Sequence, residues 1–95
     1  MELKKIKQTL AEHKQELRDK FNVREIGIFG SYVRNEETKK SDVDMLVDFY
    51  EAPGWEFIDL EDYLSGLIGV KVDLVMKTAL KPGIGRHILR EVQCI

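Results

Sequence analysis

The feature that most constrains this chain is a short link. Two β-prone runs, Val23–Phe29 and Asp42–Tyr50, are divided by a Gly30-Ser31 break, with only ten residues between Ser31 and Asp42. A parallel crossover takes a dozen or more residues and usually a full helix, so these runs are expected to pair as antiparallel neighbours. Gly30-Ser31, ending the first strand, then stands beside Asp42-Val43-Asp44, opening the second. Tyr32 to Arg34 has room for one helical turn before the polar loop Asn35 to Ser41.

Periodicity supplies the remaining elements. Leu3, Ile6, Leu10 and Leu17 recur at helical spacing between Lys, Glu and Gln, which predicts an amphipathic helix from Met1 to about Lys20. In the second strand Val43, Met45, Val47 and Phe49 fall on one side, and Asp42, Asp44, Leu46 and Asp48 on the other. Pro53-Gly54 breaks the chain. Phe57, Leu60, Leu64 and Leu67 then suit a second helix, ended near Gly66 or Gly69. Val70 to Met76 reads as a third strand, Lys81-Pro82-Gly83 as a loop, and Arg86 to about Val92 as a last helix. The order α-β-β-α-β-α implies an α/β (α+β) sandwich: one domain over residues 1–95, a small mixed sheet with flanking helices.

Composition narrows the functional classes. Hydrophobic residues make up 43% of the chain and charged residues 34%, a balance suited to a globular protein. Fifteen basic and seventeen acidic side chains are spread along it and form no basic track, so direct nucleic-acid binding is not expected. Lys39-Lys40 is too short, and Lys4, Lys5 and Lys7 suit a solvated helix face. The lone Cys94 cannot form an internal disulfide. The first residues are charged, and no apolar run approaches membrane-spanning length. A cytoplasmic protein without membrane attachment is expected.

The chemistry concentrates in acids. Asp42 and Asp44, two apart on a strand, point the same way about 6–7 Å apart. At an effective dielectric near 20 such a pair repels by on the order of 2–3 kcal/mol. Divalent cations remove that penalty, and a bridging carboxylate can hold two metals about 3.5–4 Å apart. Oxygen ligands match hard ions such as Mg²⁺. On an ordinary strand, two surface acids would be the simpler reading; here a glycine-serine turn is expected beside them. Gly30 lets backbone approach a phosphate closely, and amides opening the turn after Ser31, with its hydroxyl, can bind anionic oxygens. Asp73 lies inside an apolar run, where a buried unpaired carboxylate would be costly. The helix between the second and third strands is long enough for a parallel crossover, which sets Asp73 beside Asp42 and Asp44. It could then complete the metal ligands and accept the proton of an attacking hydroxyl. The competing reading pairs Asp73 with Lys71 or Lys77.

Phe29-Gly30-Ser31, ten residues, then Asp42-Val43-Asp44-Met45 resembles the signature of the polymerase-β-like nucleotidyltransferase superfamily. The fuller strings Gly30-Ser31-Tyr32-Val33-Arg34 and Ser41 to Phe49 resemble its minimal nucleotidyltransferase branch, as do Val72-Asp73-Leu74-Val75, Leu80-Lys81-Pro82 and Ile88-Leu89-Arg90-Glu91. The resemblance implies that fold. It implies two Mg²⁺ ions on Asp42 and Asp44, with Asp73 completing one site, and a triphosphate held by Gly30 and Ser31. It also implies a HEPN-domain partner, often a toxin to which such a protein is the antitoxin and which some members neutralise by adenylylating it, with ATP as the nucleotide donor and a homo- or hetero-oligomer as the assembly. Asn35 stands where the family usually has Gly, and Asn tolerates left-handed backbone angles.

Other residues leave two readings each. Arg34 suits a phosphate contact or a brace to Glu36 or Asp42. Ser41 caps its turn or approaches a phosphate. Asp48 shares the face of Asp44 but lies about 13 Å further along the strand, where solvation is expected. His13 and His87 are expected at the surface. Gly83-Ile84-Gly85 lacks the third glycine of a dinucleotide fingerprint, and no Gly-Lys-Ser/Thr of a P-loop occurs. Trp55, Phe57, Ile58 and Tyr63 exceed what one helix face can bury, so they are read as core or as a partner interface. An occluding binding module with idle carboxylates and a nucleic-acid terminal transferase are the rival functions.

Overall fold

The computed structural model describes residues 2–95. In chain order it contains α1 (Leu3–Glu12), α2 (Lys14–Phe21), β1 (Val23–Phe29), β2 (Val43–Phe49), α3 (Glu56–Ile68), β3 (Val72–Met76), a 3₁₀ turn (Lys77–Ala79), α4 (Ile84–Glu91) and β4 (Gln93–Cys94). The strands form one mixed sheet in the order β3-β2-β1-β4.

The short link does what its length requires. β1 and β2 run antiparallel, with Phe29 opposite Asp44 and Ile28 opposite Met45. The α3 crossover returns β3 parallel to β2, with Val43 level with Val72 and Asp44 level with Asp73. β4, which has no sequence periodicity, adds a fourth strand antiparallel to β1, with Gly27 opposite Cys94.

The N-terminal helix differs from the single one expected. It breaks at His13, whose amide is shared between the Thr9 and Leu10 carbonyls, both at 3.2 Å. The ring Nδ1 lies 2.8 Å from the same Thr9 carbonyl, so His13 is half-buried rather than a surface group. Met1, the expected first helical residue, lies outside the described residues. α2 ends at Asn22 with φ 61°, and α3 ends at Gly69 with φ 79°, each supplying the left-handed backbone that terminates a helix.

One sheet face is the core. Ile6 and Leu10 of α1, Leu17 of α2 and Leu60, Leu64 and Ile68 of α3 pack with Ile26, Ile28, Val43, Met45, Val47, Val72 and Leu74. Fully burying each aliphatic side chain contributes roughly 1.5–3 kcal/mol. Phe57 and Tyr63 pack at the margin of this cluster, but Trp55 and Ile58 do not join it: they are 79% and 51% exposed.

β3 is an edge strand, yet two of its outward amides are occupied. Val72 N–H donates to Ser65 Oγ at 2.9 Å and Leu74 N–H to Glu61 Oε2 at 3.0 Å, both acceptors reaching over from α3. Among the described residues, no helix is long and apolar enough to cross a membrane.

Candidate active site

Because strand side chains alternate, the register that buries Met45 against the helices turns Asp44 to the opposite face. Asp73, level with Asp44 on the neighbouring parallel strand, shares that face. Asp42 lies just before β2, two residues from Asp44. Asp44 is partly buried, and burial first, then the charges of Asp73 and Asp42, push its carboxyl above the usual carboxylate range; Arg34 pulls weakly the other way. Asp44 therefore feels the charges of both other acids.

Asp73 is exposed, not buried as the apolar run around it suggested, because β3 is an edge strand whose second face carries no helix over this position. Lys71 lies 3.9 Å from Asp42 and Lys77 lies 3.8 Å from Glu25, so neither lysine takes up Asp73. Among the described residues, no three His, Cys, Asp or Glu side chains converge into a ready-made metal cage. The donor set nevertheless fits a hard divalent cation: all its atoms are carboxylate oxygens, and burial together with the neighbouring acids raises the carboxyl of the central one. Asp73 is solvent-facing and Asp42 is held only by the long Lys71 contact, so packing fixes neither carboxylate.

Gly30 is buried at the end of β1 with φ 82°. A Cβ there would strike the Asp44 carboxylate, so glycine is required by the acid's own position as well as by the backbone angle. Its amide does not face open space for a phosphate: Gly30 N–H donates to Glu91 Oε2 at 2.8 Å. The turn that follows is closed by bonds from the Val33 and Arg34 amides to the Gly30 carbonyl at 3.0 and 3.2 Å, and from the Glu36 amide to the Ser31 carbonyl at 2.8 Å. Asn35 completes it with φ 58°, the left-handed angle expected of a residue in a glycine position. Among the described residues, the amides of Ser31 and Tyr32 and the Ser31 hydroxyl take no hydrogen-bond partner.

Arg34 and Ser41 each make one of the contacts expected of them. Arg34 braces the loop, its Nε 2.6 Å from Glu36 Oε1 and its Nη1 2.6 Å from Glu91 Oε1, without touching Asp42. Ser41 caps its turn, accepting the Thr38 amide at 2.8 Å. Asp48 departs from expectation: only 6% exposed, it is paired with Arg24 rather than solvated.

Glu91, which the sequence marks only as part of the family-like string Ile88-Leu89-Arg90-Glu91, acquires a definite contact here. Its side chain is 11% exposed and accepts from both Gly30 and Arg34. Burial acts to raise its carboxyl, but the hydrogen bonds from Arg34 and Gly30 outweigh it and hold the group below the usual range. No local pattern marks that contact, since only the β1–β4 pairing brings the end of α4 to the turn. A separate groove of about 480 Å³, lined by Lys14, Arg18, Arg24 and Tyr50, lies at the other end of β1 and β2, away from the three acids.

Residues 10–95 match the model of a nucleotidyltransferase domain. Over 91 residues, 95% of this chain and 92% of the relative, the sequence is 58% identical to protein adenylyltransferase MntA of Thermococcus cleftensis. A solved structure provisionally named a minimal nucleotidyltransferase matches with a TM-score of 0.77 at 30% identity, covering 98% of this chain and 95% of that one. A chain in the complex of tri-AMPylated Shewanella oneidensis HEPN toxin with MNT antitoxin shares the fold, with a TM-score of 0.67 at 18% identity over 94% of this chain and 70% of that one.

Proposed function

Since the chain belongs to the nucleotidyltransferase domain family, we propose that it transfers an adenylyl group from ATP to a hydroxyl of a protein acceptor. The acceptor in this reading is a HEPN-domain partner, and the chain is its antitoxin. Support comes from the relative named a protein adenylyltransferase and from the fold shared with a complex that holds an AMPylated HEPN toxin. The observation that carries the chemistry is the register that sets Asp44 level with Asp73 on one open face, beside the Gly30-Ser31 turn.

Each group has a part under this reading. The unpartnered Ser31 and Tyr32 amides and the Ser31 hydroxyl bind phosphate oxygens of the nucleotide. Arg34 lends positive charge nearby, and Ser41 shapes the loop that delivers Asp42. Family members generally use a divalent metal; here Asp42, Asp44 and Asp73 are the residues to hold it, and two Mg²⁺ ions are our specific reading. When bound, the cations would neutralise charge on the attacking and departing oxygens. The acceptor oxygen forms a bond to the α-phosphorus as the bond to the bridging oxygen breaks, and pyrophosphate leaves with that electron pair. Asp73, exposed on the same face as Asp44, takes the proton of the acceptor hydroxyl in this reading.

Incubating the chain and its co-purified partner with Mg²⁺ and each NTP in turn, followed by intact mass spectrometry, tests the proposal. A gain of one or more AMP units on the partner from ATP alone is expected, and it disappears in the Asp42→Asn, Asp44→Asn variant. Full neutralisation of the partner by that variant, with no mass gain for the unaltered chain, would instead establish occlusion.

A further inference from the structure

We infer that Glu91 is a positioning residue for the nucleotide site, a strut by which the C-terminal helix sets the Gly30-Ser31 turn; the inference rests on the nucleotidyl-transfer reading. Its two carboxylate oxygens go to two different parts of the same turn. Oε2 accepts the Gly30 amide at 2.8 Å, and Oε1 accepts Arg34 Nη1 at 2.6 Å. Gly30 and Arg34 are also the ends of a backbone hydrogen bond, Arg34 N–H to Gly30 carbonyl at 3.2 Å. Glu91 therefore fastens the first and last residues of one closed turn and leaves the Ser31 and Tyr32 amides between them free.

The fastening comes from far along the chain. α4 has its last turn fixed by β4, where Gln93 pairs with Ile28 and Cys94 with Gly27. Ile95 continues the contact, its amide donating to the Ile26 carbonyl at 2.9 Å. The carboxylate thus projects from a segment tied to the very strand that ends in Gly30. The Glu91 side chain is 11% exposed and its bond to the Gly30 amide is partly buried, whereas the Arg34 side chain is 46% exposed; both bonds are charge-assisted, the stronger class. On the other side of the turn, the Asp44 carboxylate packs against the Gly30 Cα. Gly30 is held between two acids, one ordering the turn and one belonging to the proposed metal-binding set. Without Glu91, the turn would keep its local bonds but lose its fixed distance from Asp44 and the orientation of Arg34.

The test is calorimetric titration of the full chain with AMP-PNP and Mg²⁺, comparing the unaltered protein with Glu91→Gln and Glu91→Ala. Glu91→Gln keeps one acceptor oxygen and Glu91→Ala keeps none. We expect affinity to fall about tenfold in Glu91→Ala, the scale of one charge-assisted bond, and to be intermediate in Glu91→Gln. The Gly30 amide resonance should move in both variants before nucleotide is added. Arg24→Ala serves as the control for general destabilisation, because it breaks an ion pair at the far end of the sheet. It should lower Tm without weakening nucleotide binding. Equal affinity in all three Glu91 proteins, or tighter binding in Glu91→Ala, would overturn the inference, the latter by showing that the carboxylate competes with phosphate. Absence of nucleotide binding by the unaltered chain would instead remove the nucleotidyl-transfer reading, and the inference with it.

Discussion

Asp44 and Asp48 are the same residue type, on the same strand and the same sheet face, yet they live in opposite electrostatic conditions. Asp48 is buried and has a guanidinium against it; Asp44 is half-buried with two further carboxylates for neighbours. A buried charge must be compensated, and at Asp48 the chain compensates it internally. At Asp44 it does not. The site is thus recognisable by where the protein leaves negative charge uncompensated, beside a turn with free donors.

The comparison breaks most decisively at its uncompensated end. Asp44→Asn or Asp73→Asn should lower nucleotide transfer by roughly 10²–10⁴-fold in a single-turnover assay, the range for losing a group that acts on a proton or on developing charge. Transfer unchanged in both variants would end the parallel between geometry and chemistry. Gly30→Ala should come next. Its methyl group would press on the Asp44 carboxylate, and a left-handed angle costs a non-glycine residue roughly 1–2 kcal/mol, so both transfer and denaturant stability should drop.

At the compensated end the effect should be on folding alone. Asp48→Asn is expected to lower Tm by a few degrees and to leave nucleotide transfer intact, a separation that differential scanning calorimetry and the transfer assay together can see. The smallest effect should have the opposite sign. Without metal, Asp44→Asn should stabilise the chain by roughly 0.2–1 kcal/mol, toward the low end because Asp73 is exposed, as for like charges directly opposite across a sheet. A folded-state carboxyl raised above its unfolded value favours folding at low pH and loses that contribution as pH rises through the folded value. The unaltered protein should therefore lose stability in this window relative to Asp44→Asn, and added Mg²⁺ should close the gap at neutral pH. A flat difference between the two proteins across pH, measured by urea unfolding, would contradict the charge argument.

Much of this was legible in the residues. The alternation of Val43, Met45, Val47 and Phe49 set the face of Asp44, and the brevity of the loop before Asp42 set the pairing of β1 with β2. The α3 crossover was long enough to imply that β3 runs parallel. The sequence set Asp48 apart from Asp44 only as a solvated acid; the distinction it missed is that Asp48 is buried and paired. The distinction comes from a register irregularity between Val23 and Glu25, where an extra residue at the start of β1 lets Arg24 reach Asp48. Such a bulge redirects a side chain without leaving a mark in the hydrophobic pattern. The Glu91 contact was hidden for a related reason. β4 is only two residues long, too short for any periodicity, yet it decides where α4 ends. Trp55 and Ile58 show the reverse limit, since apolar character alone does not say which residues a short helix can turn inward.

The side chains that α3 sends to the margin of β3 have a consequence for how an acceptor can approach. With Ser65 and Glu61 occupying the outward amides of Val72 and Leu74, an incoming peptide finds few donors there for a ladder of its own. A polypeptide substrate is thus discouraged from lying down as a fifth strand next to Asp73. For the proposed transfer, a hydroxyl presented end-on from a folded scaffold suits this margin better.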